Sequence, residues 1–379
     1  GDLGAEVIKV ERPGAGDDTR NFAPPYLPNA DGEDSDESAY FAGTNRNKRS
    51  ITLNLSDAEG QQIAKQLIAK SDILVENFKT GTLEKYGLGY NDLHTEFPCL
   101  IYCSITGFGH TGPYADRPAY DALIQAMGGV MSLTGEPEGE PMKVGVSIAD
   151  LMAGMYGCVS ILAAVRHQAA TGEGQHCDVS MLDAHVAWLA NQGMNYLATG
   201  ANPTRLGNQH PNIVPYQVMP SADGYFVLSV GNDPTFARFC ETAGCEQLLE
   251  DARFATAVER VRNRDIVTDS LNEITQQQPT AWWIERLEKN KVGCGAINAL
   301  EDVFADPQVQ ARDMVIEMEH PSTGGRPAKL IGSPIKLSET PVSYRRSPPT
   351  MGQHTAEVLG EYLNMSADDV AGLRDRGVV

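Results

Sequence analysis

SITLNLSDAEGQQIAKQLIAKSDILVE, residues 50–76, decides the fold. Ser50 to Leu55 alternates polar and apolar side chains, the period-two pattern of a half-buried strand. Ser56 then stands where a helix N-cap is expected, with Glu59 three residues on as its capping-box partner, and the helix runs to about Lys70. Asp72-Ile73-Leu74-Val75-Glu76 is a second, shorter strand. A strand, a helix and a strand in so short a stretch predict two parallel strands joined by a helical crossover, and therefore an α/β protein.

The pattern extends in both directions. Glu6 to Val10 reads as a buried strand ahead of the breaker run Pro13-Gly14-Ala15-Gly16, and Cys99 to Ile105 as another strand. Residues 31–37 hold five acids and no apolar side chain, which predicts a solvated loop. The strongest helix spans Ser147 to Ala170. Leu151, Met155, Cys158, Leu162 and Val165 recur on one side of it, and Ala149, Ala153, Gly157, Ser160 and Ala164 form a stripe of small residues on another. Such a helix is expected to be buried on several sides. Asp178 to Thr199 reads as a second long helix. Gly200 to Asn212, with Pro203, Gly207 and Pro211, reads as a linker, and Pro321 to Pro327 as another. Strands near Gly224 to Val230 and helices between Asp233 and Lys291 predict a smaller α+β unit. The expected layout is a large α/β domain in 1–199, a linker in 200–212, a small α+β domain in 213–318, and a return to the large domain in 319–379 that ends in a helix capped by Ser366.

Composition narrows the function. Of 379 residues 41% are hydrophobic and 21% charged, a globular balance. Thirty basic against fifty acidic side chains give a net charge of −20, which argues against a general nucleic-acid binder. No uninterrupted apolar run approaches the roughly 18 residues of a membrane span, so no membrane partner is expected. Seven cysteines without a CxxC pair predict reduced thiols in a cytoplasmic protein. The opening Gly1-Asp2-Leu3-Gly4-Ala5 reads as the end of a helix entering a strand, and the natural chain is expected to begin earlier.

Four groups of residues invite a chemical reading. Gly107-Phe108-Gly109-His110-Thr111-Gly112 fits GxGxxG, but Pro113 follows where a dinucleotide fold needs a helix, so a glycine-rich loop is the better reading than a nicotinamide site. Asp150 lies three residues after Ser147 at the start of the strongest helix. It reads either as half of a capping box or as a nucleophilic carboxylate whose anion the helix dipole favours, and the two are compatible. Lys9, Arg12, Lys48, Arg49, Lys79 and Lys85 lie at strand ends and in loops where phosphates could collect, though spacing alone favours scattered solvated charge. His110, His185, His210 and His354 share no metal-ligand spacing, and no metal is expected.

Together these segments resemble the class III CoA-transferases, the superfamily of formyl-CoA transferase and α-methylacyl-CoA racemase, over essentially the whole chain. The resemblance runs through 4–13, Gly16-Asp17-Asp18-Thr19-Arg20, Asn47-Lys48-Arg49-Ser50-Ile51, Val75-Glu76-Asn77-Phe78, Arg117-Pro118-Ala119-Tyr120-Asp121 and Thr171-Gly172-Glu173-Gly174-Gln175. It ends with Gly352-Gln353-His354-Thr355 and Gly377-Val378-Val379. It implies a Rossmann-like large domain, a smaller domain and an interlocked homodimer. It also implies coenzyme A or acyl-CoA as substrate, with no cofactor held covalently at rest. It places the family's nucleophile on Asp150, and its CoA contacts on Arg12, Leu53, Asn77, Phe78, Lys85 and Tyr120. Arg12 and Lys85 would pair with nucleotide phosphates. Tyr120 stands where the racemase branch has His, and a phenol, with a reference pKa of about 10, is a poor general base near pH 7. Gly207-Asn208-Gln209-His210-Pro211 replaces the formyl-CoA transferases' glycine-rich flap and resembles dicarboxylate-using members such as succinyl-CoA:glutarate CoA-transferase, so oxalate is not expected as acceptor. The implied activity is CoA transfer from an acyl-CoA to a free acid. An α-methylacyl-CoA racemase is the alternative, and an NAD-dependent oxidoreductase a more distant one.

Overall fold

The computed structural model describes residues 1–379. The chain divides into two compact units, one of residues 1–104, 158–178 and 300–379, the other of 105–157 and 179–299.

The first unit is built on parallel strands, but the two strands of the opening stretch do not pair with each other and lie in separate sheets. Val7–Glu11 pairs with Lys48–Thr52, Val7 lying opposite Lys48. Ile73–Glu76 pairs in parallel with Ile101–Thr106, and His176–Ser180 lies on the far side of the latter. The crossover helix covers Ala58–Ile68 and buries Gly60, Ile63, Ala64, Leu67 and Ile68. Its cap is Asp57, whose carboxylate accepts the Glu59 and Gly60 N–H groups; the expected Ser56 lies one residue too early. An aspartate accepts as well at this position and adds a charge that the helix dipole favours. Gly60 is required by close approach, because a Cβ there would sit 2.0 Å from the Asn54 carbonyl oxygen.

The chain's far end completes this core. Thr355–Leu363 and Ala367–Asp375 bring Val358, Leu359, Val370 and Leu373 against Ile51, Leu53 and Leu67, with Val378 and Val379 beside them. Ser366 caps the last helix in a capping box with Asp369, as expected. Asn54 N–H donates to the Val378 carbonyl at 2.8 Å, and Thr52 N–H to Thr355 Oγ1 at 3.0 Å.

Several conspicuous motifs turn out to be structural. Glu11 is buried and accepts two hydrogen bonds from Arg20 at 2.8 Å, one from Ser50 Oγ at 2.6 Å and one from Asp17 N–H at 2.9 Å. Burial pushes the Glu11 carboxyl up, but these donors outweigh it and hold the group below its ordinary value. Arg20 also reaches Glu37 and the Pro349 carbonyl, and its guanidinium lies 3.6 Å from the centre of the Phe41 ring. Glu37 belongs to a strand, Asp34–Ser38, paired antiparallel with Tyr26–Pro28, so part of the acidic stretch is not the solvated loop its composition predicts. Arg49 is buried and spends its charge on Glu6, Glu357 and Glu361 rather than on a phosphate.

In the second unit Tyr216–Pro220, Tyr225–Ser229 and Gly293–Ala296 form an antiparallel sheet with Tyr225–Ser229 central. Helices Asp233–Ala243, Arg264–Thr275 and Thr280–Lys289 bury Phe236, Phe239, Leu271, Trp283 and Leu287 with Phe226 and Leu228 of that sheet. Arg260 is fully buried yet satisfied by the Val214 and Phe254 carbonyls and by Asp233. The single helix expected over Asp178 to Thr199 is instead the end of a strand followed by two helices, Met181–Ala187 and Ala190–Thr199. The break falls before Ala190, whose φ is +44°.

The strongest helix spans Ile148–Thr171, close to expectation, but its burial differs. Ala149, Ala153 and Ala164 on the small side are buried, while Leu151, Met155, Val159 and Leu162 are each more than half exposed. Small side chains let neighbouring backbone approach closely, so that side packs inward and the larger one faces out. By length and composition this helix is also apolar enough to cross a membrane. Gly154, Gly157 and Ser160 interrupt its apolar run while scarcely lowering its mean hydropathy.

Candidate functional site

Within the first unit, the positions expected to meet a CoA ester gather at the carboxyl ends of parallel strands. Arg12 follows Val7–Glu11, Leu53 follows Lys48–Thr52, and Asn77 and Phe78 follow Ile73–Glu76. This is the end of an open α/β sheet where ligands bind, because chain direction leaves loops and free N–H groups there. Arg12 is exposed and ion-paired with Asp18. Glu76 turns back to accept the Phe78 N–H at 2.8 Å, which holds the turn and leaves the Phe78 ring 44% exposed. Lys85 is exposed on the short helix Glu84–Tyr86. Leu53 differs. Its side chain is 1% exposed and packs in the core, so only its backbone could face a ligand, and its N–H is already bonded to the Glu11 carbonyl at 2.8 Å.

Lys9 donates to Asp17 at 2.5 Å. Burial pushes Asp17 up, yet the hydrogen bonds from Lys9 and Thr19 pull it down to about 2. Lys48 donates to Asn45 Oδ1 at 3.0 Å, and burial, reinforced by the Lys9 charge, brings it down to about 8.

The second unit holds Asp150 and Tyr120, and here the structure brings together residues the sequence reading treated apart. Asp150 is the third residue of the helix Ile148–Thr171 and is exposed, and its carboxylate makes no hydrogen bond or ion pair. The expected capping box with Ser147 does not form. The N–H at the helix start, that of Ala149, is taken by Asp121 Oδ1 at 2.8 Å from the neighbouring helix Asp121–Met127. Asp121 Oδ2 accepts from Gln125 Nε2 at 2.7 Å, and Gln125 Oε1 accepts the Val144 N–H at 2.8 Å. Gln125 and Ala149 are wholly buried. The strap 144–149 and the first turn of the helix that carries Asp150 are therefore held by one aspartate and one glutamine.

The electrostatics follow from that arrangement. Helix position alone favours the Asp150 anion. Partial burial, and secondly the Asp121 charge, instead push its pKa above the ordinary aspartate value. Tyr120, immediately before Asp121, is 77% exposed, and its carbonyl accepts the Ile124 N–H at 3.0 Å. His185 is wholly buried near this group, with neither ring nitrogen hydrogen-bonded, and burial lowers its pKa. Asp121 lies within the segment Arg117-Pro118-Ala119-Tyr120-Asp121, but no local signal shows that it caps another helix, and Gln125, four residues on along the same helix face, carries no sequence signal of its own.

The glycine-rich stretch 107–112 is a loop, as its context suggested. No helix starts before Asp121, and a Cβ at Gly107 would lie 2.1 Å from Ala119 Cβ, so that glycine serves close packing. Two arginines order the segment expected to distinguish dicarboxylate users. Arg205 donates to the carbonyls of Glu136, Pro137 and Gly139, and Arg264 to Gln209 Oε1 and the Pro211 carbonyl.

Comparison with known proteins gives a consistent result. Residues 1–355 match the family model described as CoA-transferase family III. The succinate–glutarate CoA-transferase of Agrobacterium fabrum is 47% identical over 360 residues, 95% of this chain and 89% of that protein. The succinyl-CoA:glutarate CoA-transferase of Homo sapiens is 40% identical over 379 residues, 100% of this chain and 84% of that protein. The crystal structure of a CAIB/BAIF family protein from Brucella suis superposes with a TM-score of 0.81 at 46% identity, covering 95% of this chain and 93% of that one.

Proposed function

The chain belongs to CoA-transferase family III and is a CoA-transferase, and from that premise we propose that it moves CoA from succinyl-CoA to a dicarboxylate such as glutarate, with Asp150 as nucleophile. The observation that carries the reading is the state of Asp150. It is an exposed carboxylate at a helix start, free of hydrogen bonds, on a first turn that other residues hold rigid.

The chemistry runs through four exchanges. An Asp150 oxygen attacks the thioester carbonyl, the C–S bond breaks, and CoA thiolate leaves a mixed anhydride behind. The thiolate attacks the Asp150 carbonyl of that anhydride and releases succinate, giving an aspartyl-CoA thioester. The acceptor carboxylate attacks this thioester, expelling thiolate and forming a second anhydride. Thiolate finally attacks the acceptor's carbonyl, which frees Asp150 and the new CoA ester. The covalent intermediates on Asp150 divide one difficult transfer into several easier steps. A pKa above the ordinary aspartate value makes Asp150 a more basic, and so better, nucleophile.

Arg12 and Lys85 would hold the nucleotide phosphates, Phe78 and Asn77 the pantetheine and adenine side, Leu53 through its backbone, and Tyr120 the thioester end. The protein would act in the cytoplasm, which its seven free cysteines support. It would work as an interlocked homodimer, with no nucleic acid or membrane partner. The exposed apolar face of the long helix, and Met194 and Leu197 on Ala190–Thr199, support a second copy as their cover.

The test uses succinyl-CoA with a panel of mono- and dicarboxylates, reading new CoA esters by mass. Glutaryl-CoA is expected. Without acceptor, a CoA adduct should appear on the peptide containing Asp150. Asp150→Ala should lose both adduct and transfer, by about 10³-fold or more. Near-normal transfer by that variant would sink the nucleophile assignment.

A further inference from the structure

We infer that Asp121 is the positioning residue of the transfer reaction: through its two hydrogen bonds and its unneutralised charge it both fixes the first turn that carries Asp150 and sharpens Asp150 as a nucleophile. The inference rests on Asp150 acting as nucleophile.

Three observations carry it. First, Asp121 reaches from its own helix to the start of the next, where its Oδ1 accepts the Ala149 N–H at 2.8 Å, one residue before Asp150. The helix start is thus capped from outside, and the Asp150 carboxylate, which would otherwise serve as its own helix's capping partner, is left without a hydrogen bond. Second, the other Asp121 oxygen is held at 2.7 Å by Gln125, a fully buried amide whose carbonyl in turn takes the Val144 N–H at 2.8 Å. The Asp121 carboxylate therefore has one fixed orientation. Third, both of its donors are neutral. The nearby ionisable side chain that could cancel its charge is His185, which is wholly buried and kept toward its neutral form by that burial. The groups facing Asp150 in this unit are accordingly Asp121, negative, and, behind it, His185, neutral. No lysine or arginine of the unit pairs with either carboxylate.

A like charge held beside the preceding residue's N–H destabilises the Asp150 anion relative to its protonated form. The same repulsion is relieved when Asp150 shares its electron pair with an acyl carbon, so it acts in the direction of the attack. Asp121 touches no reacting atom. It acts by removing the hydrogen-bond competition for Asp150 and by the sign of its charge.

The test replaces the charge while keeping an oxygen acceptor, in Asp121→Asn and Asp121→Ser. Aspartate side-chain carboxyls are labelled with ¹³C, the Asp150 resonance is assigned by its loss in Asp150→Ala, and its titration is followed in the free protein. In both variants the Asp150 midpoint should fall, because the like charge is gone. The acid limb of kcat/KM for CoA transfer should move to lower pH by the same amount, and kcat on its plateau should fall about tenfold. A purely structural Asp121 would lower kcat at every pH and leave both midpoints where they are, which would overturn the inference, as would unfolding of both variants by circular dichroism. The two readings fail separately. Full transfer by Asp150→Ala alongside a shifted Asp150 midpoint would remove the nucleophile and leave the electrostatic coupling standing. A dead Asp150→Ala alongside an unmoved midpoint would do the reverse.

Discussion

Asp150 departs from the rule its position suggests. A carboxylate in a helix's first turn ordinarily stabilises the fold, because the dipole and a free N–H favour its anion. Here burial and Asp121 reverse the sign and raise its pKa. An acid whose folded pKa lies above its unfolded value favours the fold only while protonated, and that contribution is lost as pH rises through the folded value. Asp150→Asn should therefore be slightly more heat-stable than the parent at pH 7, by the order of one degree. The gap should narrow as pH falls through the folded value toward the unfolded one of about 3.9, as the parent's carboxyl takes up its proton. Calorimetry at pH 7 and pH 4 checks this, and a variant less stable at pH 7 would mean that Asp150 is chiefly a cap. Leu53 makes a complementary point. Its place after a strand was legible, but the inward direction of its side chain followed from which face of the sheet the crossover helix and the C-terminal helices cover.

Among the elements, the crossover unit was the most readable because local signals agree with packing, yet two of its details depend on distant chain. Gly60→Ala would gain about 1 kcal/mol in an isolated helix. In this protein the added Cβ would meet the Asn54 carbonyl oxygen at 2.0 Å, so the variant is expected to lose about 1–3 kcal/mol, read from the urea midpoint at unchanged slope. Arg20 works at the same scale. It joins the strand Val7–Glu11 through Glu11 to the antiparallel strand through Glu37, and to the C-terminal segment through the Pro349 carbonyl. Arg20→Met would strand two buried carboxylates and should cost about 3–5 kcal/mol, again by urea unfolding. Restoring part of that loss by adding Glu11→Gln would identify uncompensated charge as the cause. An unchanged midpoint in the single variant would show that the network is not needed.

For the whole molecule the decisive feature is where apolar surface remains exposed. Leu151, Met155, Val159 and Leu162 on one helix and Leu197 on another, the last 74% exposed, are an outlay in water that a second copy would offset. The protein is therefore expected to remain dimeric at nanomolar concentration in mass photometry, and a 41 kDa species there would defeat the homodimer. Sequence alone determined the α/β class, the succession of strand, helix and strand over 50–76, and the family. Each depends on local periodicity, on turn residues or on motifs kept in order along the chain, and such signals survive without knowledge of the contacts. Tertiary structure decided the rest. It turned the small side of the long helix inward, gave Arg49 to a carboxylate cluster, made Asp121 and Gln125 the support of Asp150, and raised a pKa that helix position alone would lower. Those outcomes depend on which distant groups share a few ångströms of poorly solvated space, where burial and charge outweigh local preference, and neither spacing nor composition encodes that neighbourhood.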